Sequence, residues 1–299
     1  MKNFFYEETP VRFYHICTDG ENNGTVHICD KDYLMAVMMT AIKARQCDVR
    51  IICYCHMSTH SHFVISCERY EQAVKFIGSY KRDYGRYAFL EHDRMCIYRD
   101  VPATVKEICD VYYLKKCICY VLLNPVVPKV VVRPEDYRWS SFNAYFDNNR
   151  EKSGYRKVRD ISITECRAIF HTHIDLKEYG FVIDGNNDLV VKSFVEYEFV
   201  ENLFKGKTEF YRFLDRTNSV TEEQIYAPTI VSFNDNELRA EASQLAEKRY
   251  GIIEVHKLTH DQKVSLLLSL RRKTGVTAAR LARALELKAS EVRMLLTHK

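Results

Sequence analysis

Two histidines one residue apart, His60 and His62, are the side chains whose spacing best suits metal binding. They stand at the junction of two apolar runs, residues 48–56 and 60–66, which the pattern predicts to be neighbouring strands. Residues i and i+2 of a strand project from the same face, so the two imidazoles are expected side by side. Neutral imidazole nitrogens are common ligands of divalent metals. The spacing therefore predicts half of a metal site.

The His-x-His spacing alone is a weak signal, because His171 and His173 repeat it. That second pair is not followed by a tyrosine-bearing helix that ends in Asn-Pro, and we interpret it as incidental. His56, four residues before His60, is interpreted as a satisfied core histidine, with support of the metal site as the alternative. A metal site at His60 and His62 therefore needs further residues from elsewhere in the chain.

Such residues occur on a long apolar helix, where Tyr120 and Asn124 lie four positions apart and share one face. Two imidazoles and an amide oxygen form an incomplete coordination sphere that leaves room for phosphate oxygens or water. A phenol with a pKa of about 10 is a weak nucleophile at neutral pH unless charge on the phosphate is stabilised. Tyr113 is the alternative nucleophile, but it lies ~16 Å from Asn124 along the helix. Tyr120 is therefore the preferred nucleophile.

The order and spacing of these residues resemble the IS200-like single-tyrosine (Y1) HUH transposases, and among them the REP-associated tyrosine transposases. The segments that carry the resemblance are His60-Ser61-His62, Tyr120 to Val126 and Tyr137-Arg138-Trp139-Ser140-Ser141, within residues 10–145. The resemblance implies that His60, His62 and Asn124 bind a divalent ion, Mg²⁺ or Mn²⁺. It implies that Tyr120 attacks single-stranded or hairpin DNA, forming a 5′-phosphotyrosine link and a 3′-OH that can later rejoin strands. It also implies a ferredoxin-like fold and permits a homodimer.

Two departures from the family pattern leave other interpretations open. Ser61 stands where the family prefers a hydrophobic residue, and Ser58-Thr59 stands where it usually has Pro-Asn. If the strand alternates, Ser61 faces away from the metal and affects packing more than chemistry. The alternative function is a catalytically degenerate, sequence-specific DNA-binding regulator. A third interpretation, a metal-binding protein unrelated to DNA, leaves the tyrosine helix unexplained.

The pattern along the chain predicts an α+β fold with an antiparallel ferredoxin-like sheet, followed by a mixed region and a C-terminal helical domain. Strands are predicted over residues 11–18, 48–56, 60–66 and 95–105, and helices over 33–45 with Asp30 as the cap, 70–90 and 106–123. The domains are expected at residues 1–146, 147–235 and 236–299. The catalytic site is thus assigned to the first of these domains.

Two basic helical regions are candidate DNA contacts. The first surrounds an aromatic stripe of Tyr80, Tyr84 and Tyr87, which we interpret as core, with base stacking as the alternative. The second resembles a helix-turn-helix over residues 276–296, with a solvated helical bundle as the alternative. The predicted DNA-binding residues are Lys75, Lys81, Arg82 and Arg86 in the first region, and Arg280, Arg283 and Arg293 in the second.

Composition limits the class of protein. The 299 residues carry a net charge of +4, with 46% hydrophobic and 28% charged residues, as in ordinary globular proteins. The sequence lacks an apolar run of the ~18 residues that a membrane span needs, and its start lacks the apolar core of a signal peptide. We therefore expect a cytoplasmic protein without a membrane partner. The eleven cysteines, including Cys53-x-Cys55 and Cys117-x-Cys119, lack CxxC zinc spacing and are expected to be reduced core residues.

Overall fold

The computed structural model describes residues 11–18, 24–92, 102–147, 154–217, 235–274 and 278–292. The chain divides into two compact units, Met1–Thr221 and Glu222–Lys299. None of the helices in the described ranges is long and apolar enough to cross a membrane. The three domains expected from the sequence remain a prediction.

A four-stranded antiparallel sheet forms the centre of the first unit. Its elements are β1 (Arg12–Thr18), α1 (Asp30–Gln46), β2 (Arg50–His56), β3 (Ser61–Cys67), α2 (Tyr70–His92) and β4 (Ala103–Ile108). The strands lie in the order β2-β3-β1-β4, and each neighbouring pair is antiparallel. This succession of strand, helix, strand, strand, helix and strand is the one expected from the sequence. The predicted α+β class with an antiparallel sheet is confirmed.

Several predicted boundaries are wrong. Helix α3 spans Val111–Leu123, because Asp110 caps its first turn by accepting a 2.7 Å hydrogen bond from the Tyr113 N–H. The residues from Lys106 to Ile108, predicted to start this helix, belong to β4 and pair with β1. The predicted strand at 95–105 is therefore displaced, and its first residues lie outside the described ranges.

The start of α1 also differs from the prediction. Cys29, and not Asp30, is the N-cap, so Asp30 is the first residue of the helix. The Asp32 carboxylate accepts hydrogen bonds from the Ile28 N–H at 2.7 Å and the Cys29 N–H at 3.2 Å. A buried carboxylate in the first turn satisfies otherwise unpaired N–H groups and favours the positive end of the helix dipole.

The two faces of the sheet carry different helices. Phe63 of β3 packs against Phe76 and Tyr80 of α2, with ring centroids 5.4 and 5.3 Å away. His62, the preceding residue, projects to the opposite face, where it meets Tyr120 of α3. Helices α2 and α3 therefore cover opposite faces. The site predicted from the sequence lies on the α3 face.

The segment Tyr137 to Ser141, part of the family resemblance, runs along the outer edge of β2. The His56 N–H donates to the Trp139 carbonyl at 2.9 Å, and the Ser141 N–H donates to the Tyr54 carbonyl at 3.0 Å. The Tyr137 hydroxyl donates to the His56 carbonyl at 2.7 Å. These bonds pair an otherwise open sheet edge. The segment therefore fixes the end of β2 from which the His60 turn departs.

The later part of the first unit packs on this core. Its elements are β5 (Arg156–Lys157), α4 (Ile163–Phe170), β6 (Val182–Ile183), α5 (Tyr197–Phe204) and α6 (Lys207–Thr217). Phe199 of α5 stacks on Phe13 of β1 with 5.5 Å between ring centroids, and the Glu196 N–H donates to the Ile51 carbonyl at 2.8 Å. Helix α6 packs against α3. This part of the chain therefore supports the α3 face of the sheet.

The second unit is helical in its described residues. It contains α7 (Asp235–Tyr250), α8 (His260–Thr274) and α9 (Ala278–Leu285). Buried leucines such as Leu266, Leu270 and Leu281 form its core. After α9, Glu286 adopts a left-handed backbone with φ of 54°, and the chain is helical again over residues 289–292. The unit therefore contains two helical segments joined by a tight turn.

Candidate active site

His62 is the buried centre of the candidate site. It lies opposite Cys17 of β1 and Cys55 of β2 in the sheet register, and 1% of its surface is exposed. Its Nδ1 atom is 3.1 Å from Nε2 of His15, a hydrogen-bonding distance. Its Nε2 atom is 3.8 Å from Sγ of Cys17. The sheet therefore holds this ring in place by contacts at both of its nitrogens.

His60 reaches the same site from a turn. It precedes β3, so the expectation that both histidines lie in one strand is wrong. The Met57 N–H donates to the His60 carbonyl at 2.8 Å, which closes the turn. The rings of His60 and His62 still meet edge to face, with centroids 4.8 Å apart and an interplanar angle of 82°. His60 is half-buried, and its Nδ1 lies 2.9 Å from Oγ1 of Thr59.

Tyr120 brings a hydroxyl-bearing ring to these histidines. Its ring centroid lies 5.5 Å from that of His62 and 5.9 Å from that of His15, at 86° to both planes. The side chain is half-buried. Asn124 caps the C-terminal end of α3 one turn later and is also half-buried. The structure thus brings Tyr120 and His62 together, and places Asn124 on the same helical face as Tyr120.

His15 is a member of the site that the sequence analysis missed. It is fully buried in β1, and its ring is nearly parallel to that of His62, with 5.3 Å between centroids and 8° between planes. His15 and Cys17 are two residues apart and project to the same face as His62. His15 can be assigned to the site only when the pairing register of β1 with β3 is known. The spacing of residues within either strand does not reveal that register.

The electrostatic environment keeps the central imidazoles neutral. Burial, reinforced by the neighbouring His60 and His15, lowers the pKa of His62 well below its ordinary range. Burial and the charge of Lys106 lower the pKa of His15 to about 3. Both rings are therefore uncharged at neutral pH. Neutral imidazole is the form that coordinates a metal ion.

His60 and His62 supply imidazole nitrogens, which are donors of the kind that divalent cations bind. Nδ1 of His60 lies near Oγ1 of Thr59 and Nδ1 of His62 lies near Nε2 of His15, whereas Nε2 of His62 lies 3.8 Å from Sγ of Cys17. Across the described ranges, three or more His, Cys, Asp or Glu side chains never come together in a way that could hold a metal ion. The Asn124 amide, which the sequence predicts as the third ligand, is not one of these four side-chain types.

Ser61, between the two histidines, projects to the other face of the sheet. Its Oγ lies 2.8 Å from Nδ1 of His56, whose Nε2 lies 3.2 Å from Oγ1 of Thr40 in α1. The Ser61 N–H donates to Oγ1 of Thr18 at 2.8 Å. Burial lowers the pKa of His56 well below its ordinary range, so this ring is neutral as well. The interpretation of His56 as a satisfied core histidine is confirmed, and Ser61 is one of its partners.

The second histidine pair lies elsewhere in the first unit. His171 and His173 follow α4 and line a cleft of about 510 Å³ together with residues of α1 and α2, among them Met35 and Arg86. This cleft is on the side of the sheet that faces away from α3. The structure therefore does not bring this pair to Tyr120.

The basic residues of α2 also lie on the side away from Tyr120. Lys81 is 9% exposed, whereas Arg82 pairs with Asp83 and Arg86 lines the cleft described above. Lys75 is an exposed residue of the same helix. The stripe residues Tyr80 and Tyr84 are fully buried, which confirms their interpretation as core.

The second unit holds the other predicted DNA contacts. Arg283 is exposed and Arg280 is half-buried on α9. Arg293 lies outside the described residues. Helix α9 buries Leu281 and Leu285 on its other side. The described part of this region is thus an amphipathic helix with a basic outer surface.

Comparisons with known proteins add little. No known protein family matches the chain, and neither does any curated protein. Among solved structures, the chain is similar to a REP-associated tyrosine transposase bound to a REP hairpin. The similarity covers 50% of this chain and 92% of that one, with 12% sequence identity and a TM-score of 0.35. Because this TM-score is low, the geometry of the site carries the functional argument.

Proposed function

We propose that this protein is a metal-dependent single-stranded DNA endonuclease and strand transferase that acts at hairpin or palindromic sites. The observation that carries the proposal is the edge-on approach of the Tyr120 ring to the buried, neutral His62, with His60 beside it. A candidate tyrosine nucleophile and a neutral imidazole then share one face of the sheet, and the His60 ring meets that imidazole from the turn before β3. This combination suits attack on a phosphodiester.

Each residue has a defined role in the proposed reaction. The imidazoles of His60 and His62 and the Asn124 amide would hold a divalent cation, Mg²⁺ or Mn²⁺. A bound cation would polarise the scissile phosphate and stabilise charge that develops on its oxygens. Tyr120 supplies the attacking oxygen. A P–O bond forms to Tyr120 while the P–O3′ bond breaks, and the phenol proton is balanced by the proton that the 3′-OH gains.

The reverse reaction rejoins DNA without an energy source. The 3′-OH attacks the 5′-phosphotyrosine, re-forming a phosphodiester and returning the proton to Tyr120. One bond of similar type forms for each bond that breaks. Leu114, Ile118 and Leu122 anchor α3 in the core, and all three are fully buried.

The proposal is tested by trapping the covalent intermediate. The full-length protein is incubated with Mn²⁺ and hairpin oligonucleotides that carry single-stranded flanks and a label at either the 3′ or the 5′ end. We expect a denaturant-resistant adduct that carries the 3′ label, because the fragment with the 5′-phosphate stays on the protein. Tyr120→Phe should abolish the adduct, and Tyr113→Phe, the matched control on the same helix, should retain it. Absence of an adduct with wild type, or its survival in Tyr120→Phe, would overturn the proposal.

The alternative is a DNA-binding regulator that has lost turnover, and it rests on Ser58, Thr59 and Ser61. The hydrogen bond between Ser61 and His56 accommodates the third of these departures on the face away from Tyr120. The alternative predicts that hairpin DNA is retained in a gel-shift assay while an adduct never forms. The adduct assay therefore separates the two functions.

A further inference from the structure

We propose that His15 is a positioning residue for the metal, fixing the tautomer and the orientation of His62 through a buried hydrogen bond. The inference rests on the proposed function, since it assumes that His62 is a ligand. It adds a residue outside the set of His60, His62, Asn124 and Tyr120. The juxtaposition that supports it is the 3.1 Å approach of His15 Nε2 to His62 Nδ1 between parallel rings.

The tautomers follow from the hydrogen-bonding rules of neutral imidazole. One ring nitrogen carries the proton and donates, and the other accepts. For His62 to coordinate a metal through Nε2, its proton must be on Nδ1, which then donates to Nε2 of His15. The proton of His15 must accordingly be on its own Nδ1. The opposite arrangement would place a proton on Nε2 of His62 and block coordination.

The surroundings leave His15 little freedom to turn. It is fully buried, the edge of its ring that carries Nε2 meets Nδ1 of His62 at 3.1 Å, and the Tyr120 ring lies at 86° to it with 5.9 Å between centroids. Its position in β1 is set by pairing on both sides, with Val64 of β3 and Lys106 of β4. Because the His15 ring is held in place, its hydrogen bond also holds the His62 ring in one orientation. A hydrogen-bonded partner that orients a ligating histidine typically affects metal affinity about 10- to 100-fold.

A purely structural role for His15 makes a different prediction, and two variants separate the roles. His15→Phe keeps a buried ring of similar size but removes the acceptor, whereas His15→Gln keeps an acceptor oxygen at a similar distance from the backbone. If His15 only fills space, Phe is the better replacement, because a buried polar group costs free energy. If His15 positions His62, Gln is the better replacement.

The test measures Mn²⁺ affinity of the DNA-free, full-length protein by calorimetry or by electron paramagnetic resonance. We expect His15→Phe to weaken Mn²⁺ binding about 10- to 100-fold and His15→Gln to stay within about threefold of wild type. His173→Phe, which removes an exposed histidine of the other pair, should bind Mn²⁺ as wild type does. Thermal unfolding of each variant checks that the fold is retained.

A second measurement reads the tautomer directly and does not depend on activity. Nuclear magnetic resonance of isotope-labelled histidine in the metal-free protein should show the proton of His62 on Nδ1 in wild type and in His15→Gln. In His15→Phe the proton should redistribute toward Nε2. A wild-type proton on Nε2 of His62, or a His15→Phe variant with wild-type Mn²⁺ affinity, would overturn the inference. Adduct formation by wild type decides the proposed function separately, while failure of wild type to bind Mn²⁺ would overturn both.

Discussion

At the scale of single residues, the serine between the two histidines belongs to a different network from the site itself. Ser61 Oγ meets Nδ1 of His56, and His56 continues to Thr40. All three side chains are buried. In such a series of hydrogen bonds, removal of one side chain leaves another polar atom buried without a partner. The free-energy cost of that unpaired atom exceeds the net contribution of the hydrogen bond. A hydrophobic residue at position 61 would therefore be unfavourable here.

Replacement of this serine tests that argument. We expect Ser61→Val to lower the free energy of unfolding by about 1–3 kcal/mol, because His56 loses a buried partner. The double variant Ser61→Val/His56→Phe should recover part of the loss, since both polar groups are then gone. Urea unfolding of the single and double variants measures the coupling between the two positions. Equal stability of Ser61→Val and wild type would show that the hydrogen bond contributes nothing.

Asn124 offers a second test at this scale, because its proposed role depends on one oxygen atom. We expect Asn124→Ala to weaken Mn²⁺ binding about tenfold or more, while Asn124→Asp, which keeps an oxygen ligand and adds a charge, binds at least as tightly as wild type. Calorimetric titration with Mn²⁺ measures the difference. Position 124 has a helical backbone, with φ of −51° and ψ of −37°, so alanine should leave the melting temperature nearly unchanged. Unaltered affinity in Asn124→Ala would exclude it as a ligand.

At the scale of elements, some contacts of the site join residues close together in the chain, and others join residues on strands that are far apart in the chain. The i, i+4 relation of Tyr120 and Asn124 is contained in a short stretch of helix, and the sequence predicts it correctly. The neighbourhood of His15 and His62 depends on the register between β1 and β3, which are far apart in the chain. Residues 106–108 were assigned to a helix because their local pattern permits it, whereas pairing with β1 makes them a strand. The face of the sheet that α2 covers likewise depends on tertiary packing and cannot be predicted from the local pattern of α2.

The first turn of α1 shows how buried charge joins two elements. Asp32, whose side chain is 1% exposed, accepts hydrogen bonds from the Tyr87 hydroxyl at 3.0 Å and from His92 Nε2 at 2.8 Å, both on α2. Burial alone would raise the pKa of Asp32, but the hydrogen bonds from His92, the Ile28 N–H and Tyr87 outweigh it and lower the pKa below 3.8. The ionised carboxylate therefore ties the start of α1 to the end of α2.

The contribution of these Asp32 hydrogen bonds to stability can be measured by comparing unfolding at two pH values. We expect Asp32→Asn to destabilise the protein by about 2 kcal/mol or more at pH 7, because several hydrogen bonds to a charged group are weakened. A carboxyl group with a lowered pKa stabilises the fold above its ordinary value of 3.8, and that contribution is lost as pH falls through its folded-state pKa. The gap between wild type and Asp32→Asn should thus shrink as the pH falls below 3.8. Denaturant titrations measure it, and a gap independent of pH would contradict this account.

At the scale of the whole molecule, the proposed chemistry and the proposed helix-turn-helix belong to different compact units of the chain. The first unit contains Tyr120, His15, His60 and His62. The basic outer surface of α9, with the exposed Arg283, belongs to the second. The helix-turn-helix over residues 276–296 stays a prediction, with a solvated helical bundle as its alternative. The basic residues of α2, by contrast, lie across the sheet from Tyr120.

This arrangement predicts which arginine side chains bind DNA during the reaction. We expect Arg283→Ala to weaken hairpin binding and to reduce the dependence of log K on log salt by about one contact, because each phosphate contact releases counterions. Arg82→Ala, a matched arginine whose side chain pairs with Asp83 on the face away from Tyr120, should change neither quantity. Fluorescence anisotropy at several salt concentrations measures both. At saturating DNA, the rate of adduct formation by Arg283→Ala should equal that of wild type, since Tyr120 and its histidines are untouched. The opposite result, loss of binding in Arg82→Ala alone, would move the DNA path to the α2 face and away from the proposed nucleophile.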